Sequence, residues 1–360
     1  MIEDKKPGFW SHVRAHRTLV LSVTGFILIC VAATATYFIV YKQPVKAPAA
    51  PTIVAPPVVT PPPVVYYSPL TGEPVASQAA TTAPVTAIMI ENSPDARPQS
   101  GIKNSGVVFE AIAEAGITRF MVLYQQEKPG LIGPVRSVRL YDLDWMSAFD
   151  ASIGHVGGSL AALNEVRNGS YRDIDQFFNS SSYYRSTDRY APHNVYTTAA
   201  RLDALNAAKG YSSSTFTGFT RTDAAPAATP TATKININIS SPLYNSTYVY
   251  DKASNTYLRS QDGAPHLDRE SGQITPSVVV AMRVNESTVL QDGYREVIGT
   301  IGSGAATIFQ NGTATAVTWH KTSRTSQITF TDATSANVPL VRGQAWIAAV
   351  PNGSGDVSWQ

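Results

Sequence analysis

Residues 118–149, TRFMVLYQQEKPGLIGPVRSVRLYDLDWMSAF, contain in succession the features that decide the fold of this part of the chain. Residues 118–127, with an apolar run at 120–124, predict a strand, which Pro129 and Gly130 end. In residues 138–149 an apolar side chain recurs at every third position, which predicts one face of a helix. These side chains are Leu140, Leu143, Met146 and Phe149. A strand followed closely by a helix indicates an α/β or α+β domain.

The rest of residues 67–222 repeats this alternation of strand and helix patterns. Residues 86–92 predict a buried strand, whereas residues 106–116 fit either a strand or a helix. Ser159 and Thr198 are each placed to cap the start of a helix. We therefore predict a globular α+β or α/β domain over residues 67–222.

A change in composition at residues 223–234, which are rich in alanine, threonine and proline, predicts an inter-domain linker. Beyond it, residues 235–360 contain short alternating patterns that are typical of strands, and an Asn-Gly pair among them predicts a hairpin turn. We predict a small, mainly antiparallel β domain over residues 235–360, with His266 and His320 at its surface.

The N-terminal region predicts attachment to a membrane. Residues 18–41 contain no charged side chain, and about 20 apolar residues span a bilayer core, so we predict a transmembrane helix there. Basic side chains concentrate in residues 1–17, which places that tail in the cytoplasm and the rest of the chain outside. We predict a single-pass protein of the cell membrane with extracytoplasmic domains.

Residues 42–66 follow the apolar segment and are rich in proline, which predicts an extended linker or stalk. A signal peptide that is uncleaved or cleaved late is the alternative for residues 18–41. We do not expect Cys30 to carry a lipid, because apolar sequence continues well past it.

The composition excludes several classes of function. The 360 residues carry a net charge of +2 without a long basic run, which argues against nucleic-acid binding. The single cysteine excludes an intramolecular disulfide and a cysteine-based metal cluster. The sequence has no Walker loop, no Gly-x-Ser-x-Gly and no His-Glu-x-x-His motif. We predict no cofactor, no bound metal and no nucleic-acid partner.

Unusual polar side chains in residues 67–222 are candidates for a binding site. Arginine offers a planar, permanently charged fork that matches phosphate and carboxylate groups, so arginines lead this set. The predicted ligand-binding residues are Arg97, Arg119, Arg136, Arg139, His155, Gly157, Gly158, Arg189, His193 and Asn194. Possible acid–base or structural partners are Glu91, Glu110, Glu114 and Asp142. The pattern assigns no catalytic residue.

Arg136 and Arg139 are the central pair of this set. If a helix begins near Val135, their spacing puts both side chains on one face, and the helix start adds positive potential. We expect Arg139 to meet Asp142 or another carboxylate, and Arg136 to face a cleft with Arg119. The alternative is a structural network in which each arginine pairs with an acid.

Five motifs carry a resemblance to a known family. In chain order they are ENSPDARPQSGI, FEAIAEAGITRFMVLYQ, IGPVRSVRLYDLD, HVGGS and APHNVYT. They resemble the YerB-like bacterial lipoprotein family, a domain of unknown function. The stretch from GSGAATIFQNGTATAVTWHK to VRGQAWIAAVP resembles the second domain of that family, so the resemblance covers roughly residues 68–351. The resemblance implies two domains on the outer face of a bacterial membrane and no established activity. That family implies a lipid-attached cysteine before the stalk, whereas this chain has an uninterrupted apolar span, so we expect a different means of attachment.

A weaker likeness in outline exists to the LytR-CpsA-Psr enzymes, which also have one span and an external α/β domain and hold a lipid pyrophosphate with clustered arginines. Three functions therefore stay open. We favour a binding protein for an anionic envelope ligand or a partner protein. The alternatives are a phosphotransferase that acts on a phosphorylated envelope substrate, and a purely structural interaction module.

Overall fold

The computed structural model describes residues 9–42, 47–49, 64–289 and 295–360. The chain divides into two units, residues 1–62 and 63–360.

Within residues 9–42 and 47–49, the first unit has two helices, α1 (Phe9–Ala15) and α2 (Arg17–Tyr41). An 18-residue window of the 25-residue α2 has a mean hydropathy of 2.2, and none of the helix's described side chains is buried within the protein. At about 1.5 Å per residue, α2 is longer than the roughly 30 Å hydrocarbon core of a bilayer. It is therefore long and apolar enough to cross a membrane. Most of the predicted proline-rich stalk lies outside the described residues.

The described residues of the second unit form four α-helices, which are α3 (Gln78–Thr81), α4 (Leu140–Met146), α5 (Leu160–Asn168) and α6 (Ala199–Ala208). The Ser159 hydroxyl accepts a hydrogen bond from the Ala162 N–H at 3.3 Å, and the Thr198 hydroxyl accepts one from the Arg201 N–H at 3.1 Å. Both predicted helix caps are thereby confirmed. Single turns of 3₁₀ helix occur at Pro94–Ala96, Ser147–Phe149, Ser180–Ser182 and Pro242–Tyr244.

Strands make up most of the remaining regular structure. In the first predicted globular segment they are β1 (Tyr66–Tyr67), β2 (Pro74–Val75), β3 (Thr86–Glu91), β4 (Val107–Glu114), β5 (Ile117–Tyr124), β6 (Ser152–Gly154), β7 (Arg172–Asp173), β8 (Tyr184–Arg185), β9 (Val195–Tyr196) and β10 (Arg221–Thr222). In the second they are β11 (Lys234–Asn238), β12 (Ser246–Asp251), β13 (Thr256–Gln261), β14 (Ala264–Pro265), β15 (Leu267–Asp268), β16 (Gly272–Gln273), β17 (Val278–Val284), β18 (Glu286–Val289), β19 (Arg295–Ile298), β20 (Gly302–Gln310), β21 (Thr313–Lys321), β22 (Thr329–Thr331), β23 (Leu340–Val341), β24 (Ala345–Pro351) and β25 (Asp356–Trp359).

The largest sheet of the described residues has the strand order β22, β21, β20, β17, β24, β4, β5, β3, β6 and β7, and β19, which pairs with β18, joins it at β4. Strand β24 is parallel to β17 and β4, whereas β5 is antiparallel to β4 and β3. Apolar side chains cover both faces of the central strands. A strand buried on both faces is an apolar run without alternation. This explains why residues 106–116 did not reveal β4 by their pattern.

Each face of this sheet supports a separate part of the core. Helices α4 and α5 lie on one face, where the rings of Phe109 and Trp145 stack with centroids 5.0 Å apart. The other face packs against a second sheet with the order β14, β13, β12, β11 and β25, which brings Ile235 and Tyr248 into one cluster with Ile88. The N-terminal part is thus mixed α/β, and the C-terminal part is rich in antiparallel strands, as predicted.

The two predicted globular segments share this sheet. Strand β24 pairs with β4 from Ala345↔Val107 to Ala348↔Glu110. Between the segments, residues 223–233 form neither helix nor strand. We expected two separate domains and not a shared sheet, because the sequence pattern of a β-strand does not identify the strand with which it pairs. The boundary at the linker stays a prediction.

Two local expectations were wrong. No helix begins near Val135, because Val135 pairs with Ile90 and α4 begins only at Leu140, with Arg139 as its N-cap. Nor does His266 lie at the surface, since only 4% of it is exposed. The predicted Asn-Gly turn is present between β20 and β21, where both residues adopt positive φ angles of 56° and 76°.

Candidate functional site

Glu114, at the end of β4, holds two of the predicted arginines. Arg119 Nη2 lies 2.8 Å from Glu114 Oε1, and Arg139 Nη2 bonds to the other carboxylate oxygen. Burial alone would raise the pKa of Glu114, but the two guanidinium groups outweigh burial and hold this pKa below its ordinary value. Arg139 meets a carboxylate as expected, although its side chain pairs with Glu114 rather than with Asp142.

Asp142 instead closes the start of α4. Its Oδ2 accepts a hydrogen bond from the backbone N–H of Arg139 at 2.7 Å. Asp142 is only 2% exposed, and this burial raises the pKa of its carboxyl group to about 7, against the opposing effect of that hydrogen bond. Asp142 therefore has a positioning role at the helix start, and its charge changes near neutral pH.

Arg136 has a different environment from its neighbours. Its Nε lies 3.3 Å from Glu91 Oε1, and its side chain is 24% exposed. Neither its Nε nor its terminal nitrogens form a hydrogen bond to a residue in the described ranges. Burial lowers the pKa of Arg136, with the charge of Glu91 opposing this effect and that of Arg119 adding to it. The guanidinium N–H groups of Arg136 thus remain available to donate hydrogen bonds to a ligand.

Glu91 connects Arg136 to the predicted histidine. His193 Nδ1 lies 2.9 Å from Glu91 Oε2, and Glu91 is paired across the strands with Arg119. This pairing places the groups around Glu91 beside those around Glu114. We call the set the arginine cluster, and it consists of Glu91, Glu114, Arg119, Arg136, Arg139 and His193.

Ser93 also contacts this cluster, although it was not among the predicted site residues. Its hydroxyl donates to Glu91 Oε1 at 3.0 Å and lies 3.3 Å from His193 Nδ1. In a serine–histidine–acid relay, the serine and the acid use opposite ring nitrogens. Here both lie at Nδ1, so the geometry does not activate Ser93 as a nucleophile. The available signal was its position two residues after Glu91.

Arg97, Arg189 and Asn194 lie at the edge of the cluster and bind the protein itself. Arg97 Nη2 donates to the carbonyl oxygens of Asn92 and Leu243 at 3.0 and 2.8 Å. Arg189 donates to two further backbone carbonyls, at 2.9 and 2.6 Å. Asn194 accepts a hydrogen bond from the Arg185 guanidinium at 2.7 Å. These contacts fix loops next to the cluster.

The His155 turn supports the cluster through its backbone. The Val156 N–H donates to the Arg136 carbonyl at 3.0 Å, and the Val138 N–H donates to the Gly157 carbonyl at 3.0 Å. Gly158 permits this approach, since a Cβ there would lie 2.8 Å from a Val138 side-chain carbon. The turn therefore holds the segment that carries Arg136.

The His155 imidazole itself is fully buried. Its Nδ1 lies 2.8 Å from the Gly157 carbonyl oxygen, and its Nε2 lies 3.1 Å from Asp173 Oδ1. His155, Asp173 and Asp175 offer ligand atoms within 4.8 Å of one another. However, Arg167 binds the second oxygen of Asp175 at 3.0 Å. The positive charge of the Arg167 guanidinium would repel a metal cation at that position.

Glu110 belongs to a separate buried network. Its carboxylate accepts hydrogen bonds from Arg259 and from the Trp346 indole, each at 2.9 Å. Arg259 also contacts His266, whose other ring nitrogen lies 2.9 Å from Gln99 Oε1. Burial, together with the charge of Arg259, lowers the pKa of His266 well below its ordinary value. These partners were not predicted from the sequence, because Arg259 and Trp346 lie 149 and 236 residues from Glu110.

Comparisons with known proteins agree with this architecture. Residues 70–212 match the DUF3048 N-terminal domain and residues 235–347 match the DUF3048 C-terminal domain, both described as protein of unknown function. The chain is 30% identical over 290 residues to "Putative lipoprotein YerB" of Bacillus subtilis (strain 168). This match covers 79% of this chain and 86% of YerB.

A solved structure shows the same fold. The crystal structure of Bacillus subtilis YerB superposes with a TM-score of 0.72 at 28% sequence identity, and the match covers 81% of this chain and 99% of the YerB chain. The predicted resemblance is confirmed, and the chain belongs to the DUF3048 family of proteins of unknown function.

Proposed function

We propose that this chain is a membrane-anchored, extracytoplasmic envelope protein that binds an anionic ligand at the arginine cluster. Helix α2 has the length and composition of a membrane span, and the similar YerB protein is named as a lipoprotein. The basic residues before α2 favour a cytoplasmic N-terminus, which would put residues 63–360 outside the cell.

The observation that carries ligand binding is the unused fork of Arg136. Arg97 and Arg189 are bonded to backbone carbonyls, whereas Arg119 and Arg139 share one carboxylate. Among these five, only Arg136 has neither terminal nitrogen in a hydrogen bond to the described part of the chain, whereas Arg97 uses its Nη2 and the other three use both. Its partly exposed position leaves those nitrogens open to a ligand.

The charge of the cluster favours an anion. Three arginines, Arg119, Arg136 and Arg139, face two carboxylates, Glu91 and Glu114. The nearby Asp142, with a pKa of about 7, offsets this excess only in part at neutral pH. A guanidinium fork suits a bidentate phosphate or carboxylate group.

The cluster supports binding better than catalysis. The Ser93 hydroxyl contacts the cluster, and it shares His193 Nδ1 with Glu91 instead of facing the opposite nitrogen. The geometry described for this cluster therefore provides no activated nucleophile for group transfer.

Inorganic pyrophosphate tests this proposal as a simple anionic probe. The full-length chain in detergent is unfolded thermally with pyrophosphate or with chloride at equal ionic strength. A ligand held at 100 times its dissociation constant adds about 2.7 kcal/mol to the free energy of unfolding, so pyrophosphate should raise the midpoint temperature concentration-dependently. Equal midpoints in the two salts would contradict anion binding at this protein.

A further inference from the structure

A second candidate site lies away from the arginine cluster. Two cavities of about 670 and 380 Å³ adjoin one another, since both are lined by Ser147, Asp150 and Thr325. Their walls come from residues 146–151, 165–172, 215–217 and 320–329. We call the combined cavity the hydroxyl groove. Each cavity lies within the roughly 300–1,000 Å³ range of small-molecule sites.

Threonine hydroxyls dominate the lining of the larger cavity. Five threonine side chains there are exposed, and their hydroxyls form no hydrogen bond within the described ranges. They belong to Thr215, Thr217, Thr322, Thr325 and Thr329. A hydroxyl both donates and accepts hydrogen bonds, so this surface is complementary to a ligand that carries hydroxyl groups itself.

An aromatic face lies among these hydroxyls. Phe216 lines the larger cavity and is half-buried. It packs edge-to-face on the buried Phe149, with ring centroids 5.6 Å apart, and this contact fixes its orientation. The groove therefore combines an aromatic ring of fixed orientation with several hydroxyl groups that form no hydrogen bond within the described ranges.

The charged residues of the groove are paired with one another. Arg172 lies 2.9 Å from a carboxylate oxygen of Asp150. Arg324 lies 2.8 Å from Asp144 and also binds Glu165. Because each cation already has an acidic partner, the groove offers an anion no open guanidinium comparable to that of Arg136, and a neutral ligand fits better.

The walls of the groove are held in place before any ligand binds. The fully buried Lys321 donates to the carbonyl oxygens of Arg324 and Ser326 at 2.7 and 2.6 Å, which fixes the loop that carries Thr325. On the facing wall, the Thr215 N–H donates to Asp150 Oδ2 at 2.9 Å. A rigid site loses less conformational entropy on binding.

From these observations we propose that the hydroxyl groove binds an uncharged glycan chain. The hydroxyls of successive sugar units would exchange hydrogen bonds with the threonines, and the apolar C–H face of one ring would lie against Phe216. A peptide would instead require open backbone groups, and the open groups here are side-chain hydroxyls. This site is separate from the arginine cluster and does not depend on anion binding there.

Uncharged tetrasaccharides are the probes that test this proposal. The full-length chain, kept in a detergent without a sugar headgroup, is titrated with N-acetylglucosamine tetramer, cellotetraose and maltotetraose, and binding is followed by calorimetry. The double variant Thr217→Val/Thr325→Val removes two hydroxyls that bond to no described residue, so its folding should be unchanged. Thr315→Val, on β21 and outside the groove lining, is the control.

We expect at least one tetrasaccharide to bind the parent chain. The double variant should bind it about tenfold more weakly or worse, since each lost hydrogen bond is worth roughly fivefold in affinity. Thr315→Val should bind like the parent. The proposal is overturned if no tetrasaccharide binds or if the double variant binds as tightly as the parent.

Discussion

Arg259 Nη2 lies 2.9 Å from Glu110 Oε2, and both side chains are completely buried between β13 and β4. The Arg259 guanidinium also stacks 4.3 Å from the ring centroid of Trp346, which donates to the same carboxylate. This ion pair connects the N-terminal and C-terminal family domains inside the shared core. A buried charge is tolerated only while its partner is present.

Removal of the arginine from this pair should destabilise the whole of residues 63–360. We expect Arg259→Met to lower the free energy of unfolding by roughly 3–5 kcal/mol, because Glu110 would be left buried without its cation. Denaturant unfolding monitored by circular dichroism measures this loss. Arg269→Met is the control, since Arg269 forms an exposed pair with Asp188 and should cost less than about 1 kcal/mol. Similar losses in both variants would contradict the buried-pair account.

The shared sheet predicts how the chain responds to proteolysis in the linker. Residues 223–233 form no regular structure, so limited proteolysis can cut there. Because β24 pairs with β4, we expect the two fragments to elute together in size-exclusion chromatography without denaturant. Two separate folded fragments would show instead that the family domains are independent.

The pKa of Asp142 predicts a pH dependence of stability. Its folded value of about 7 lies above the ordinary 3.8, so the fold favours the protonated acid. Asp142 therefore makes its full contribution to the free energy of unfolding below about pH 4, and this contribution is lost as the pH rises through 7. An asparagine side chain at this position would be neutral throughout, so we compare the parent with Asp142→Asn by denaturant unfolding. Relative to this variant, the free energy of unfolding of the parent should fall by up to about 4 kcal/mol between about pH 4 and pH 8. A constant difference across this range would be inconsistent with the raised pKa.

Local sequence patterns predicted several individual elements of the fold. Ser159 and Thr198 identified two helix starts because an N-cap is a contact between residues three apart. The Asn-Gly pair identified the β20–β21 turn because few residues adopt two successive positive φ angles. The shared sheet was not predictable in this way, since β4 and β24 are more than 200 residues apart and no local pattern encodes their pairing.

The candidate site was predictable in composition but not in geometry. Arg139 was expected to meet Asp142 or another carboxylate, and the acid beside it is Glu114, which lies 25 residues earlier in the chain. His155 was included because of its glycine turn, but its imidazole faces Asp173. Side-chain direction depends on tertiary contacts that neighbouring residues do not reveal.

Membrane attachment and orientation are tested on the intact chain. Deletion of residues 1–42 should release the protein into the soluble fraction after cell lysis, because α2 would be absent. A reporter that fluoresces only after folding in the cytoplasm, fused after Gln360, should stay dark in the full-length chain and become bright after that deletion. Bright full-length fusions would reverse the proposed orientation.

The central claim is that Arg136 binds an anion, and it is tested by pyrophosphate affinity in Arg136→Lys and Arg342→Lys. The two parent side chains are equally exposed at 24%, and Arg342 lies near the opposite end of β4 from Glu114. Calorimetric titration of each full-length variant gives the dissociation constant, and thermal unfolding without ligand gives the stability.

We expect Arg136→Lys to unfold within about 0.5 kcal/mol of the parent, because its guanidinium makes no hydrogen bond to the described protein groups. Its pyrophosphate affinity should fall tenfold or more, since a charge-assisted hydrogen bond is worth about 1.5–3 kcal/mol. Arg342→Lys should bind like the parent. The claim is contradicted if Arg136→Lys retains the parent affinity, or if it unfolds much more easily while ligand stabilisation persists.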